Sequence, residues 1–271
     1  MALAQGPKAW LLTIGNEILI GRVVNTNASW LARRLTFLGF SVERIIVTPD
    51  DLEEISEELR RAIARRVRLA VTTGGLGPTY DDRTLEAVAL ASGLKLVLNK
   101  EAYDMVARKY SEGGLQMSKE REKMAYMPEG AVPLRNSVGT APGSWLVVGD
   151  TIIVSLPGVP KEMEAIFDEE VMPRLQPFAP RLSVVECGFR VVGVPESSLA
   201  PYVEEAERKN PGCYVKSHPK GIEVGAPVLE IKVLASGSSR EEATSRALSA
   251  LEMVKRGAKE LGGEISEEGC P

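Results

Sequence analysis

The stretch Val71-Thr72-Thr73-Gly74-Gly75-Leu76-Gly77-Pro78-Thr79-Tyr80-Asp81-Asp82-Arg83-Thr84 decides how the chain is read. Leu69-Ala70-Val71 before it reads as a short buried strand. Leu85 to Ala91 after it reads as a helix that Gly93 is placed to stop. Glycines at a strand-to-helix turn remove Cβ, so a ligand can approach the backbone closely. The helix start offers unpaired N–H groups and a partial positive charge, which suit a phosphate. No Gly-Lys-Ser/Thr follows, which excludes a Walker loop, and Tyr80 stands where a G-x-G-x-x-G fingerprint needs a third small residue. Asp81-Asp82 at the helix start favour the dipole but repel a phosphate. A divalent cation between Asp82 and the phosphate reconciles the two. An acidic helix cap with no ligand is the competing reading.

Upstream, Ala9 to Ile14 reads as a buried strand ending in Gly15-Asn16-Glu17. Asn25 to Asn27 offer caps for a helix carrying Trp30, Leu31, Leu35 and Leu38 at helical spacing and stopping at Gly39. Val42 to Val47 is the next strand, running out at Thr48-Pro49-Asp50-Asp51. A second amphipathic helix then buries Leu52, Ile55, Leu59 and Ile63. Strands alternating with helices imply a parallel sheet covered on both faces, an α/β three-layer sandwich. Ligands bind beyond the carboxyl ends of such strands. Gly15-Asn16-Glu17, Pro49-Asp50 and Gly74-Gly75 all fall there, so the polar candidates converge on one edge.

Downstream, Leu94 to Leu98 reads as a short strand, and Asn99 and Ser118 as caps of two helices separated by Gly113-Gly114. Ser144 to Val148 and Thr151 to Ser155 form a hairpin through Gly149-Asp150. Leu156-Pro157-Gly158-Val159-Pro160 leads into a helix with Met163, Ile166, Phe167 and Val171 inward. Pro173, Pro177 and Pro180 punctuate a linker. From Leu182 the order is strand, helix (Ser197 to Lys209), two strands and a long helix (Arg240 to Leu261), a small C-terminal α+β domain. Lys216-Ser217-His218-Pro219-Lys220-Gly221 falls at the expected hairpin tip, either touching an anionic substrate or simply solvated.

The 271 residues are 44% hydrophobic and 26% charged, ordinary for a soluble globular chain of one large or two small domains. A net charge of -4 argues against a general nucleic-acid binder. The apolar runs are too short to span a membrane, and Met1 to Pro7 holds no apolar signal core. Cys187, Cys213 and Cys270 show no metal-ligand spacing, which makes a reducing cytoplasm the default expectation. With His218 the single histidine, metal ligation rests on carboxylates and carbonyls and favours a hard cation such as Mg²⁺. Asp50 and Asp82 are the main candidate pair, since paired carboxylates can hold a metal and orient or deprotonate a water. The competing reading of Asp50 is a turn residue after Pro49.

Thr72-Thr73-Gly74-Gly75-Leu76-Gly77-Pro78-Thr79 followed by Asp81-Asp82-Arg83-Thr84 resembles the signature of CinA-type proteins, in the molybdopterin-binding-like superfamily with MogA, MoaB and MoeA. Those relatives carry a Gly-Gly-Thr-Gly turn, and here Leu76 replaces its Thr, as in the CinA branch. The resemblance spans Lys8 to Leu175 and sets the expected domains at 8–175 and 181–265. It is nearest to archaeal CinA-like proteins without the CinA deamidase domain. It implies metal-dependent hydrolysis of a pyrophosphate bond in an ADP-ribose-like or dinucleotide substrate. Gly74, Gly75, Gly77 and Thr79 would cradle phosphate, Asp50 and Asp82 would hold metal and water, and Glu17 would assist.

Gly15-Asn16-Glu17 resembles the family's Gly-Thr-Glu with Asn16 in place of Thr, and Gly21, Thr26 and Asn27 also match. Asn25 stands where the family usually has Asp. Its amide cannot act as a general base, which leaves capping or hydrogen bonding to a ligand hydroxyl. Asn136, Gly139-Thr140-Ala141-Pro142-Gly143 and Pro157-Gly158-Val159-Pro160 match family loops. They add Gly139, Thr140 and Gly158 to the ligand set, with turn chemistry as the alternative. Two other functions fit the resemblance: adenylyl transfer to molybdopterin, and a non-catalytic pterin- or nucleotide-binding module. The expected partner is a nucleotide or pterin, and the expected assembly a homodimer.

Overall fold

The computed structural model describes residues 6–223, 225 and 227–270. The chain divides into two compact units, one of Pro7–Leu35 with Val42–Ala179 and the other of Gly6, Thr36–Ser41 and the described residues from Pro180 onward.

The first unit begins with β1 (Lys8–Ile14), buried from Ala9 onward. The short α1 (Asn16–Leu19) and α2 (Thr26–Phe37) precede β2 (Ser41–Thr48). There follow α3 (Leu52–Ala64), capped by Asp51, then β3 (Leu69–Thr73) and α4 (Thr84–Ser92), which ends on Gly93 in the left-handed region. Next come β4 (Leu96–Leu98), α5 (Lys100–Glu112) and α6 (Lys119–Lys123), the two helices capped by Asn99 and Ser118. After β5 (Tyr126–Pro128) and β6 (Val132–Leu134), the hairpin β7 (Gly143–Val148) and β8 (Thr151–Leu156) closes the sheet. Helix α7 (Pro160–Ile166) passes through a π turn at Phe167–Val171 into α8 (Met172–Leu175). Pro173 has no N–H for the carbonyl four residues back, and regular helix gives way there.

The six-stranded sheet has the order β2-β1-β3-β8-β7-β6. Strands β1, β3 and β8 run parallel, while β7 and β6 are antiparallel additions, so the sheet is mixed. Every residue of β3 and β8 is buried. Alternate side chains point to opposite faces, so both faces are covered by helices. On one face Trp10, Leu12, Ile14, Ala70 and Ile153 pack with Ile55 and Leu59 of α3, Val88 of α4 and Val106 of α5. Elsewhere α2 and α7 bury Leu31, Leu35, Met163 and Ile166, and Trp30 meets Phe167 edge-on at 5.4 Å.

The second unit contains β9 (Ser183–Val192), α9 (Glu196–Lys209), β10 (Cys213–Pro219), β11 (Val228–Gly237), α10 (Arg240–Glu260) and β12 (Glu264–Gly269). Its sheet, β10-β11-β9-β12, is antiparallel throughout, a split β-α-β arrangement. Every second residue of β9, from Val185 to Val191, packs with Leu199 of α9 and Ala247 and Leu251 of α10. Lys216 to Pro219 lie within β10 and not at a hairpin tip, because the register with β11 extends to Pro219↔Leu229.

The cysteines also depart from expectation. Cys187 and Cys270 form a disulfide across a sequence separation of 83, and Cys213 is a buried free thiol. The pairing of β12 with β9, Gly269 opposite Gly188, brings the two together. Cysteine usage therefore gives no argument for a reducing compartment. Among the described residues no helix is long and apolar enough to cross a membrane.

Candidate active site

A cleft of about 470 Å³ opens where the parallel strands end. Gly15 and Glu17 reach it from the end of β1, Asp50 from the end of β2, and Gly74, Gly75, Gly77, Thr79 and Asp82 from the loop after β3. Thr140 before β7 and Gly158 after β8 complete the set. Asn25 and Asn27 line a separate cavity of about 80 Å³ that also includes Glu17 and Gly158. Gly139 lines neither space. Its N–H donates to Asn136 Oδ1 at 2.6 Å, in a loop that Asn136 pins by donating to Ala141 O and Glu162 Oε2.

The glycine loop is shaped by the protein itself. Gly74 has φ +103° and Gly75 φ +67°, conformations that side-chain-bearing residues avoid. A Cβ at Gly74 would stand 2.3 Å from Ile14 O, and one at Gly75 would stand 2.3 Å from Thr84 Oγ1. The Thr84 hydroxyl donates to Gly74 O at 2.7 Å, and its N–H donates to Gly75 O at 3.2 Å. Gly158 differs. Its φ is unstrained, and a Cβ there would meet only Gly74 Cα, at an ordinary 3.4 Å.

Helix α4 starts at Thr84, so Asp81 and Asp82 occupy the turn before it and not its first residues. Asp82 folds back on that turn, accepting the Thr79 N–H at 2.8 Å and competing with Asp81 for the single Thr79 hydroxyl proton. A Cβ on Gly77 would meet Asp82 Oδ2 at 2.6 Å, so the bare Gly77 lets the carboxylate close over the loop. The Thr79 hydroxyl holds the Asp81 carboxyl below its ordinary range. Asp50 is oriented by the Asn16 N–H, which donates to its Oδ2 at 2.8 Å. Asn25 takes the capping role: it accepts from the Ala28 N–H at 3.1 Å and donates to Thr13 Oγ1 at 3.0 Å. Asn27 donates to Gly158 O at 2.9 Å, tying α2 to the cleft wall.

Lys123 and Glu162 belong to this neighbourhood although their local sequence carries no motif for it. The half-buried Lys123 amine donates to Thr79 O, and burial pushes its pKa down while Asp82 and Asp81 oppose the shift. Glu162, in the first turn of α7, lines the cleft and accepts from Asn136 Nδ2 at 2.7 Å. Their signal is tertiary: Lys123 is 44 positions from the carbonyl it meets.

Among the described residues, no group of three His, Cys, Asp or Glu side chains stands close enough together to hold a metal ion. Asp50 and Asp82 each engage one carboxylate oxygen in backbone hydrogen bonds, which leaves the other for a ligand. Mg²⁺ commonly takes one or two carboxylates and fills its shell with water and substrate phosphate oxygens. The pair thus fits a cation that arrives with a phosphate, not a cage built in advance.

A mixed sheet whose parallel strands end on a glycine turn and two carboxylates defines a molybdopterin-binding-like type of α/β domain. Residues 10–177 match the family described as "Probable molybdopterin binding domain", and the chain belongs to that family. Within it the chain is CinA-like. It is similar to the crystal structure of CinA of Thermoplasma acidophilum, a protein of unknown function, at 43% identity and a TM-score of 0.57, over 62% of this chain and 97% of that one. A protein of Aeropyrum pernix is 55% identical over 266 residues, 98% of this chain and 99% of its own. One of Sulfurisphaera tokodaii is 46% identical over 257 residues, 95% and 97% respectively.

Proposed function

We propose that the first unit hydrolyses the pyrophosphate bond of an ADP-ribose-like or dinucleotide substrate with a divalent cation. The observation that carries this reading is that Asp50 and Asp82, from the loops after β2 and β3, line one cleft with Gly74, Gly75 and Gly158. The exposed backbone at Gly158 suits a phosphate, and two carboxylates suit a cation that neutralises it. A bound Mg²⁺ would supply charge neutralisation at the phosphoryl oxygens.

The protein's own part is positioning. The Asn16 N–H fixes Asp50, and Thr79 fixes Asp82. In the hydrolysis, water oxygen bonds to phosphorus, the bridging oxygen leaves, and the water proton passes to a carboxylate at Asp50 or Glu17. Such a step depends mainly on orientation and charge compensation. The family description favours a second reading, binding of a molybdopterin, to which adenylyl transfer would be the matching activity.

Asp82→Asn and Asp50→Asn test the carboxylates. An amide oxygen at Asp82 can still accept the Thr79 N–H, so the turn should survive. Turnover should fall by at least about 10-fold, as for loss of a metal ligand or its support, with nucleotide affinity retained. Full turnover in both folded variants would contradict the proposal.

A further inference from the structure

A second cavity, of about 430 Å³, shares Gly75, Leu76, Gly77, Asp82 and Met124 with the cleft. Beyond that common wall its lining is different in kind. Leu85, Leu96 and Tyr126 give it apolar and aromatic surface, and Lys119 and Lys123 bring two cations beside the carboxylates of Glu122 and of Glu86, the latter paired with Arg83. Among the described residues, no lysine or arginine lines the cleft. The cleft can thus hold a cation and the phosphate it neutralises, but among the described residues it offers no ammonium group for a second phosphate.

We propose that this second cavity binds the nucleoside half of the substrate, so that the pyrophosphate crosses the shared wall at Gly77 and Asp82. The inference rests on the hydrolase reading above and adds where the base goes. A planar base gains from apolar and aromatic contact, and the cavity has the volume of a ligand pocket. Lys123 is anchored on the Thr79 carbonyl, at the loop the pyrophosphate would cross. Lys119 is exposed at the cavity's edge, where it can face the phosphate nearest the base.

The test is calorimetric titration of AMP, ADP-ribose and ribose 5-phosphate into the full-length protein and two variants. Leu96 is 38% exposed, so Leu96→Trp fills the cavity from its rim without entering the core. Lys119→Glu reverses an exposed charge and guards against a folding defect in the first variant. Leu96→Trp should weaken AMP and ADP-ribose by at least about 10-fold, and Lys119→Glu by about 3-fold or more, while ribose 5-phosphate is unaffected. Unchanged AMP and ADP-ribose affinities in both variants, or equal weakening of all three ligands, would overturn the cavity assignment and leave the hydrolase reading standing. A wild-type protein that binds neither AMP nor ADP-ribose would overturn both.

Discussion

Gly75 and Gly158 both face the cleft, yet the structure requires their missing side chains for different reasons, and substitution by alanine separates them. In Gly75→Ala the new residue must hold φ near +67°, a left-handed conformation that costs an L-residue roughly 1–2 kcal/mol. Its methyl would also stand 2.3 Å from Thr84 Oγ1. Moving Thr84 breaks the buried hydrogen bond to Gly74 O, worth roughly 1–3 kcal/mol when a buried partner is left unpaired. The sum is a loss of roughly 2–5 kcal/mol with no ligand present. Gly158→Ala meets one carbon at van der Waals distance and should change stability by no more than about 0.5 kcal/mol. Its methyl instead occupies ligand space, and ADP-ribose affinity should fall by about 10-fold. Urea unfolding followed by tryptophan fluorescence reads the stability term. Trp10, Trp30 and Trp145 all lie in the first unit, so the signal reports on that unit alone. A Gly75→Ala protein as stable as wild type would refute the described turn. Undiminished ADP-ribose affinity in Gly158→Ala would refute close approach of a ligand to that backbone.

The second unit supports two further predictions. Closing a loop across 83 positions is worth about 4.6 kcal/mol at 25 °C by the chain-entropy estimate, so dithiothreitol should lower this unit's denaturation midpoint while leaving a Cys270→Ser variant unmoved; equal midpoints with and without reductant would count against the crosslink. Hydrogen bonds from Lys220 and Lys232 hold Glu230 at about 2, below its unfolded value of about 4.3. A depressed carboxylate stabilises the fold above its unfolded pKa and loses that contribution as pH falls through the folded one. Glu230→Gln should therefore be less stable than wild type at neutral pH, with the gap closing between about pH 4.3 and pH 2; a gap independent of pH would dismiss the ion pairs as its source.

Much of this was legible before the structure. Strands such as Ala9 to Ile14 carry continuous apolar runs, helices such as α3 carry Leu52, Ile55, Leu59 and Ile63 at helical spacing, and caps at Asn99 and Ser118 mark helix starts. Local chemistry specifies those features, and the rule that ligands sit at the carboxyl ends of parallel strands brought Asp50, Asp82 and Glu17 to one edge. The rest depends on tertiary contacts. Strand β12, Glu264-Ile265-Ser266-Glu267-Glu268-Gly269, has almost no apolar alternation and exists because β9 offers it a ladder. The disulfide follows from that same pairing. Asp82 left the helix because the Thr79 N–H and hydroxyl hold it in the preceding turn. Of the two roles the sequence allowed Asn25, capping is the one found, with the Ala28 N–H three residues on as donor and Thr13 as the tertiary partner. Lys123 sits in a short charged helix, and only a tertiary contact with the Thr79 carbonyl gives it a place beside the glycine loop.

The most direct measurement of the central claim is product formation by the wild-type protein from ADP-ribose with Mg²⁺, Mn²⁺ or Co²⁺, with and without a molybdopterin acceptor, read by mass. AMP and ribose 5-phosphate released without acceptor, and abolished by EDTA, are the expected result. Turnover only when the acceptor is supplied would assign the cleft to adenylyl transfer. Tight ADP-ribose binding with no product under any of the three metals would contradict the hydrolase and leave a binding module.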